Sequence, residues 1–533
     1  MKITSIRSIG LYFFWIFAVL VFVVLSGYGE SMTNNVGYAS GVSVIRNRLT
    51  IVEPEAGTLW LAGDTVEIRW VAKDIELTDV RLGLFKDREL VQMIPAELKG
   101  THSITWQVPE DVEWGDDYHV RLEGGGGRHV DESLVFRIEG PIFGWERHVI
   151  SSLWGGPDGA RFVDTNDDGL LDIVSAYESS GQVMLYQNPG LDAIREEWPG
   201  VEVGNVPRGE DAFGIDLDDN GIIDVVSSHE GDTLGLYVHW APENPDDYLD
   251  STAWQTELFE QSQGRAWMYA IAMDVNEDGH MDIVAGSKDD FYNNRNADGE
   301  MGWFESPPDN KRDLSAWQYH LIDRPGWTMN MIPYDVDLDG DLDIVMSDRD
   351  ADEEHQGVRW VENPGKNWER EWKTHFLGDT AGTWPMFMAI GDLDGDSVDE
   401  FIAPESSTNE VIIVRRDEAD DQVGLTTSFV TFEPTARTGS FKGIQVADID
   451  MDGRLDLFLT FANAGNGLIA AGWLRNVAGE DGIEWEWNDV SGREGVKMDQ
   501  AFFYDFDHDG DLDVITTDEG DLGIIWFENP LIE

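Results

Sequence analysis

The chain has 533 residues, 41% of them hydrophobic, no cysteine, and 104 acidic against 36 basic side chains, a formal charge of −68. That length allows one large domain and a smaller one, and the missing thiols exclude disulfides, thiolate metal sites and cysteine nucleophiles. Such a charge repels phosphate backbones and anionic lipid, so nucleic acid is excluded as a partner and a membrane enters only through the N-terminal segment.

Residues 1–29 form that segment. Lys2 and Arg7 precede an apolar run from Leu11 to Leu25, and the small residues Ser26, Gly27 and Gly29 follow. This is the layout of a secretory signal peptide. The alternative is an uncleaved anchor, although the run is shorter than the ~20 residues that usually span a bilayer. Export predicts a secreted or cell-surface protein.

Residues 42–140 alternate apolar and polar positions in short runs, among them TVEIRW from Thr65, SITWQV from Ser103, YHVRL from Tyr118 and SLVFRI from Ser133, punctuated by Gly, Pro and Asp. Such spacing predicts a small β-sandwich. EPEAGTLWLAGDTVEIRW, SITWQVP and YHVRLEG resemble the fungal cell-wall glucan-assembly (KNH-type) Ig-like module. The resemblance implies an accessory or wall-associated role.

From residue 145 to 530 the chain repeats. Loops of the form D-x-[DN]-x-[DN]-G-x-x-D begin at Asp164, Asp216, Asp274, Asp335, Asp392, Asp448 and Asp505, separated by 52, 58, 61, 57, 56 and 57 residues. In each loop the first, third, fifth and ninth side chains can turn inward while the others face out. The predicted ligands are Asp164, Asn166, Asp168 and Asp172; Asp216, Asp218, Asn220 and Asp224; Asp274, Asn276, Asp278 and Asp282; and Asp335, Asp337, Asp339 and Asp343. The set continues with Asp392, Asp394, Asp396 and Glu400; Asp448, Asp450, Asp452 and Asp456; and Asp505, Asp507, Asp509 and Asp513. Oxygen-only, largely anionic ligands in a flexible loop predict Ca²⁺ as the cofactor. An EF-hand is excluded, because its twelfth-place Glu is replaced by Ser175 in the first loop and Thr516 in the last. The fifth loop departs from the pattern, with Ser397 in the glycine place and Glu400 closing, which puts its cation affinity in doubt.

The flanking residues predict strands. One apolar strand leads into each loop and a second leaves it, as in LDIVSA and LDVITT. A third ends in a Trp-x-Glu-Asn-like signature (Trp303, Trp360, Trp473, Trp526), and a fourth starts at Trp145, Trp317 or Trp372. Four antiparallel strands make one blade. A fourth-type strand precedes the first loop and none follows the last, so the N-terminal strand is expected to complete the seventh blade. The expected class is all-β: a seven-bladed β-propeller preceded by a small Ig-like β-sandwich. Residues 145 to 530 resemble the FG-GAP/VCBS repeat family of integrin-type propellers, which implies Ca²⁺ in the turn between the first two strands of each blade.

Residues that recur in register are expected to pack between blades. That covers the repeated Trp residues and also His148, His320 and His375. Function is expected where the copies differ, in the loops entering first strands and leaving second strands. The candidate ligand-binding residues there are Arg208, His229, Glu230, Trp267, Trp327, Trp384, Lys442 and Lys497, with the aromatics as sugar platforms and the bases for acidic groups. This favours a non-catalytic binding or adhesion module for a polysaccharide or cell-surface glycoprotein. The rival is a carbohydrate-active enzyme, a sugar dehydratase or polysaccharide lyase, with His229, Glu230 and Arg208 as its acid/base group; the catalytic residues stay unknown.

Overall fold

A computed structural model describes residues 49–532 apart from 57, 74–79, 96–101, 110–111, 113–114, 140–143, 245–246, 289–298, 350–355, 418–423, 432–436, 466 and 479–482. The expected signal peptide lies outside the described residues. Among those described, no helix is long and apolar enough to cross a membrane.

The chain divides into two compact units, Met1–Pro141 and Ile142–Glu533. In the first, a three-stranded sheet (Leu49–Glu53, Thr65–Ala72, Ser103–Gln107) and a six-stranded sheet share one apolar core. Ile68 and Trp70 reach it from the small sheet, and Leu82, Val120 and Phe136 from the large one. Alternation does this work: in Thr65–Ala72 the flanking Glu67, Arg69 and Val71 face out.

The second unit contains seven four-stranded antiparallel sheets among the described residues. Sheet 1 is Arg161–Val163, Asp172–Ala176, Gln182–Tyr186 and Gly200–Asn205, and sheets 2 to 6 repeat that order along the chain. Sheet 7 joins Phe502–Tyr504, Asp513–Asp518 and Gly523–Glu528 to a strand from the start of the unit, Glu146–Ser151. The second and third strands are buried on both faces, as in Asp172–Ala176 and Gln182–Tyr186, and therefore read as continuous apolar runs. Outer strands carry the polar residues, such as Gln255–Leu258.

Seven apolar clusters lie between successive sheets. One joins Val174 and Leu185 of sheet 1 to Val225 of sheet 2, and the next joins Phe213 of sheet 2 to Trp267 and Ile283 of sheet 3. The succession continues until Ile515 and Trp526 of sheet 7 pack on Ile173 and Tyr186 of sheet 1. This is a β-propeller-like arrangement. The repeated Trp526, Trp303 and Trp360 pack between sheets as expected. Against expectation, His148, His320 and His375 each lie across from the Trp of their own sheet, rings within 4.9 Å centroid to centroid, because the fourth strand is the outer one. The Glu two places after each Trp takes the ring nitrogen of that His, at 2.9 Å for Glu528 and 2.8 Å for Glu305.

Candidate functional site

Each acidic loop joins the first strand of a sheet to its second. Its backbone is left-handed at the fourth place, as in Asp167 at φ 58° and Met451 at φ 59°, and again at the sixth, as in Gly169 at φ 84° and Gly453 at φ 90°. This double curl turns alternate side chains toward one point. The fifth loop keeps the same path with the glycine moved: Gly395 takes the fourth place at φ 77°, and Ser397 adopts φ 71° at the sixth. The expected defect is thus a transposition that leaves Ser397 strained, since a Cβ costs roughly 1–2 kcal/mol there. Ser397→Gly is expected to stabilise the protein by about 0.5–1 kcal/mol, the strain relieved less the entropy that glycine adds to the unfolded chain. An unchanged or lower midpoint in thermal unfolding would contradict it.

Backbone donors hold the carboxylates. The first-place Asp accepts the sixth-place N–H, at 3.0 Å for Asp164 and 2.9 Å for Asp274 and Asp448. The fifth-place residue accepts the seventh-place N–H, at 2.8 Å for Asp168 and 2.7 Å for Asn220. Oδ1 of Asp164, Asp448 and Asp505, all first-place residues, is buried without a hydrogen-bond partner. In three loops the carboxylate oxygens of Asp335, Asp337 and Asp339, of Asp392, Asp394 and Glu400, and of Asp448, Asp450 and Asp456 lie within 4.8 Å of one another. Orphaned, convergent, oxygen-only donors fit a hard divalent cation of the Ca²⁺ kind, and the first-, third-, fifth- and ninth-place residues could hold it. The fifth loop converges like the others, with Glu400 in place of Asp.

The ninth-place carboxylate has a second task. Asp456 accepts the N–H of Ile449 at 3.0 Å and of Asn476 at 2.8 Å, tying its loop to the end of the third strand, and the same pair of bonds recurs at Asp343 and Asp513. The signature Asn carries the tie onward. Asn476 Nδ2 donates to Leu455 O in its own loop and to Leu393 O in the preceding one, and Asn363 and Asn529 do the same to Val275 O and Ile449 O. Burial pushes Asp224, Asp282, Asp343 and Asp513 up to about 7 and Asp456 to about 6, so ionising them without a cation is costly.

A second feature is a cavity of about 300 Å³ lined from the starts of first strands and the ends of second strands. Of the expected ligand residues, Arg208, Glu230, Trp327, Lys442 and Lys497 line it. Arg208 pairs with Glu178 at 2.5 Å and Glu230 at 3.2 Å, Lys288 pairs with Glu230, and Lys442 stands 2.7 Å from the buried Asp499. Burial raises Glu210 to about 7, against the pull of Lys288, and raises Glu519 to about 8 with help from Asp499. Burial also drives Asp499 upward, but Lys442, a hydrogen bond with Glu519 and Lys497 together outweigh it and hold that carboxyl below its ordinary value.

Three expected residues lie elsewhere. Trp267 is 1% exposed between sheets 2 and 3, its indole N–H given to Ser262 O at 2.8 Å, so it is no sugar platform. Trp384 is 40% exposed and outside the cavity lining. His229 is wholly buried: Nδ1 donates to Pro207 O at 3.2 Å, and Nε2 accepts from Ser227 Oγ at 2.7 Å. Ser227 in turn accepts from His239 at 2.8 Å. Burial pushes His229 down to about 4, leaving a neutral structural imidazole in place of an acid/base group. The expectation missed Arg161, whose guanidinium carbon lies 3.9 Å from the Tyr269 ring centroid while it pairs with Asp211 at 2.7 Å. A base in an otherwise apolar first strand was its signal.

The family model of the FG-GAP-like repeat matches residues 335–403, from the fourth acidic loop through most of the second strand of sheet 5. No curated protein matches. Solved structures similar to this chain include a PQQ-bound aldose sugar dehydrogenase from Streptomyces coelicolor, at 11% identity and a TM-score of 0.30, covering 65% of this chain and 99% of that one. Apo AztD from Citrobacter koseri is similar at 10% identity and a TM-score of 0.31, covering 78% and 96%, and a DUF4784 family protein from Bacteroides caccae at 9% and 0.20, covering 62% and 97%. At such scores these likenesses say nothing about ligand or reaction. The chain carries an FG-GAP-like repeat within a β-propeller-like, all-β fold.

Proposed function

We propose that the chain is a secreted, seven-bladed calcium-binding propeller behind an Ig-like domain of KNH type, and that it serves as a non-catalytic binding or adhesion module for a glycan. Calcium in the seven loops stiffens one rim, and the cavity on the opposite face takes the ligand. The observation that carries this reading is the lining itself: six cationic side chains, Arg161, Arg208, Lys288, Arg349, Lys442 and Lys497, converge on one cavity of a chain with a formal charge of −68. Five carboxylates, Asp158, Glu178, Glu210, Asp211 and Glu230, share that lining, so the cavity offers charged donors and acceptors side by side, the set that sugar hydroxyls and acidic groups need.

One observation favours the rival enzymatic reading: Glu210, held at about 7 in the cavity, has the poise of a general acid or base. The test is a glycan array probed with the calcium-loaded protein, followed by ultraviolet assay of the bound glycans. Binding without turnover, lost in Trp327→Ala and kept in Trp384→Ala, is the expected result. Unsaturated, ultraviolet-absorbing products would replace the binding module with a lyase or dehydratase, and Glu210→Gln would then abolish them.

A further inference from the structure

Among the described residues, five of the six lining cations have a carboxylate within ion-pair distance, and Arg349 has none. Its guanidinium carbon lies 4.0 Å from the centroid of the Trp327 ring, over which Lys288 Nζ also sits at 4.6 Å. Nη1 reaches only Met386 Sδ, at 3.5 Å, and Nε is buried without a hydrogen-bond partner. The Trp327 indole nitrogen is likewise buried and unpartnered. The guanidinium is half-buried with no carboxylate of the described residues in direct contact, and burial pulls its pKa down against the more distant pull of Glu210, Asp158, Asp499 and Glu519. Its planar fork matches a carboxylate, which it can bind through two parallel hydrogen bonds.

The rest of the cavity sets the ligand's size and its other groups. About 300 Å³ is at the small end of ligand pockets, which suits one sugar ring better than a run of them. Asp158, Glu210 and Gln500 offer oxygens to hydroxyl groups. A metal ion among Asp158, Asp499 and Glu519 is disfavoured, because Lys442 Nζ already stands 2.7 Å from Asp499 and 3.6 Å from Glu519, and Glu178, Glu210 and Glu230 are likewise neutralised by Arg208 and Lys288.

We propose that the cavity selects a single carboxylate-bearing sugar, a uronate or aldonate, with its carboxylate on Arg349 and its hydroxyls on Asp158, Glu210 and Gln500. This rests on the glycan-binding reading above. The sugar acid arrives either free or as the end of an acidic polysaccharide.

Calorimetric titration of the full chain in calcium buffer tests it, with galacturonate, gluconate, galactose and an oligogalacturonide as probes. The sugar acids should bind at least about 30-fold more tightly than galactose, the worth of a charge-assisted contact. Arg349→Gln should erase that preference without lowering the melting temperature, and Arg349→Lys should restore part of it. Oligogalacturonide binding as tight as that of the free acid supports recognition of a chain end. Binding of free acid alone supports the sugar-acid site while removing the polysaccharide reading. Galactose binding as tightly as galacturonate, or undiminished acid binding by Arg349→Gln, overturns the selectivity and leaves the glycan-binding module standing. No binding to any probe overturns the sugar-acid site, and a blank glycan array beside it overturns the glycan-binding reading as well.

Discussion

Stripping calcium with EDTA should lower the melting temperature by on the order of 10 °C or more, and re-addition of Ca²⁺ should restore it. Each site filled at a hundred times its dissociation constant contributes about 2.7 kcal/mol, so even a few occupied loops outweigh the usual margin of a folded domain. Without the ion, three or four carboxylates crowd one turn, as at Asp335, Asp337 and Asp339. Their repulsion then acts on the link between the first and second strands of every sheet. Magnesium, which demands tighter octahedral geometry, should restore less. A melting curve indifferent to EDTA would mean that the loops are acidic turns and nothing more.

The second large effect separates the two tasks of the loop. Asp456→Ala should cost on the order of 3–5 kcal/mol whether calcium is present or not, because the N–H groups of Ile449 and Asn476 both lose their buried acceptor. Asp450→Ala, at the third place of the same loop, removes an expected cation ligand, an exposed bond from the Asp452 N–H at 3.2 Å and the ion pair with Arg475, but no buried backbone acceptor. It should therefore cost clearly less than Asp456→Ala in EDTA, and more in calcium than in EDTA. Unfolding by denaturant in both buffers measures the four combinations. Equal costs for the two variants in EDTA would contradict the structural role of the ninth place.

The Asn ties extend this logic between sheets. Asn476 bonds the loop of sheet 6 to the carbonyl of Leu393 in sheet 5, and Asn529 bonds that of sheet 7 to Ile449 in sheet 6. A loop that loosens therefore releases a neighbour's backbone as well as its own.

The acidic loops were legible because their chemistry fixes residue type at fixed places. Side chains that must alternate inward, and a chain that must curl left-handed, leave few spellings. The reading of Ser397 erred by allowing glycine one place only, whereas the structure has two left-handed places and Gly395 fills the other. Strand alternation also held a signal that went unused. His229 and Glu230 are neighbours in an extended segment, so they cannot face the same way; one went to the core and the other to the cavity.

Trp267 stands seven residues before Asp274 and Trp327 eight before Asp335, and only the second lines the cavity. The first strands of sheets 2, 3, 4 and 6 shift register at one common place, at Glu210, Met268, Met329 and Lys442, each six residues before its loop. The bulge is therefore the same in both sheets, and the offset of one residue sends the two indoles to opposite sides of their strands. Counting back from the loop was the signal that separates them. Arg349 was legible as a residue of the ligand face, but its lack of a carboxylate partner depends on the whole surrounding network and emerges only in three dimensions.

Calcium bound per chain is the most direct measure of the central idea. Equilibrium dialysis of the purified protein against millimolar Ca²⁺, with metal counted by mass spectrometry, should give a stoichiometry approaching seven, falling by one in Asp450→Ala. A protein that retains no calcium above the buffer level, or whose count is unmoved by that substitution, would contradict it.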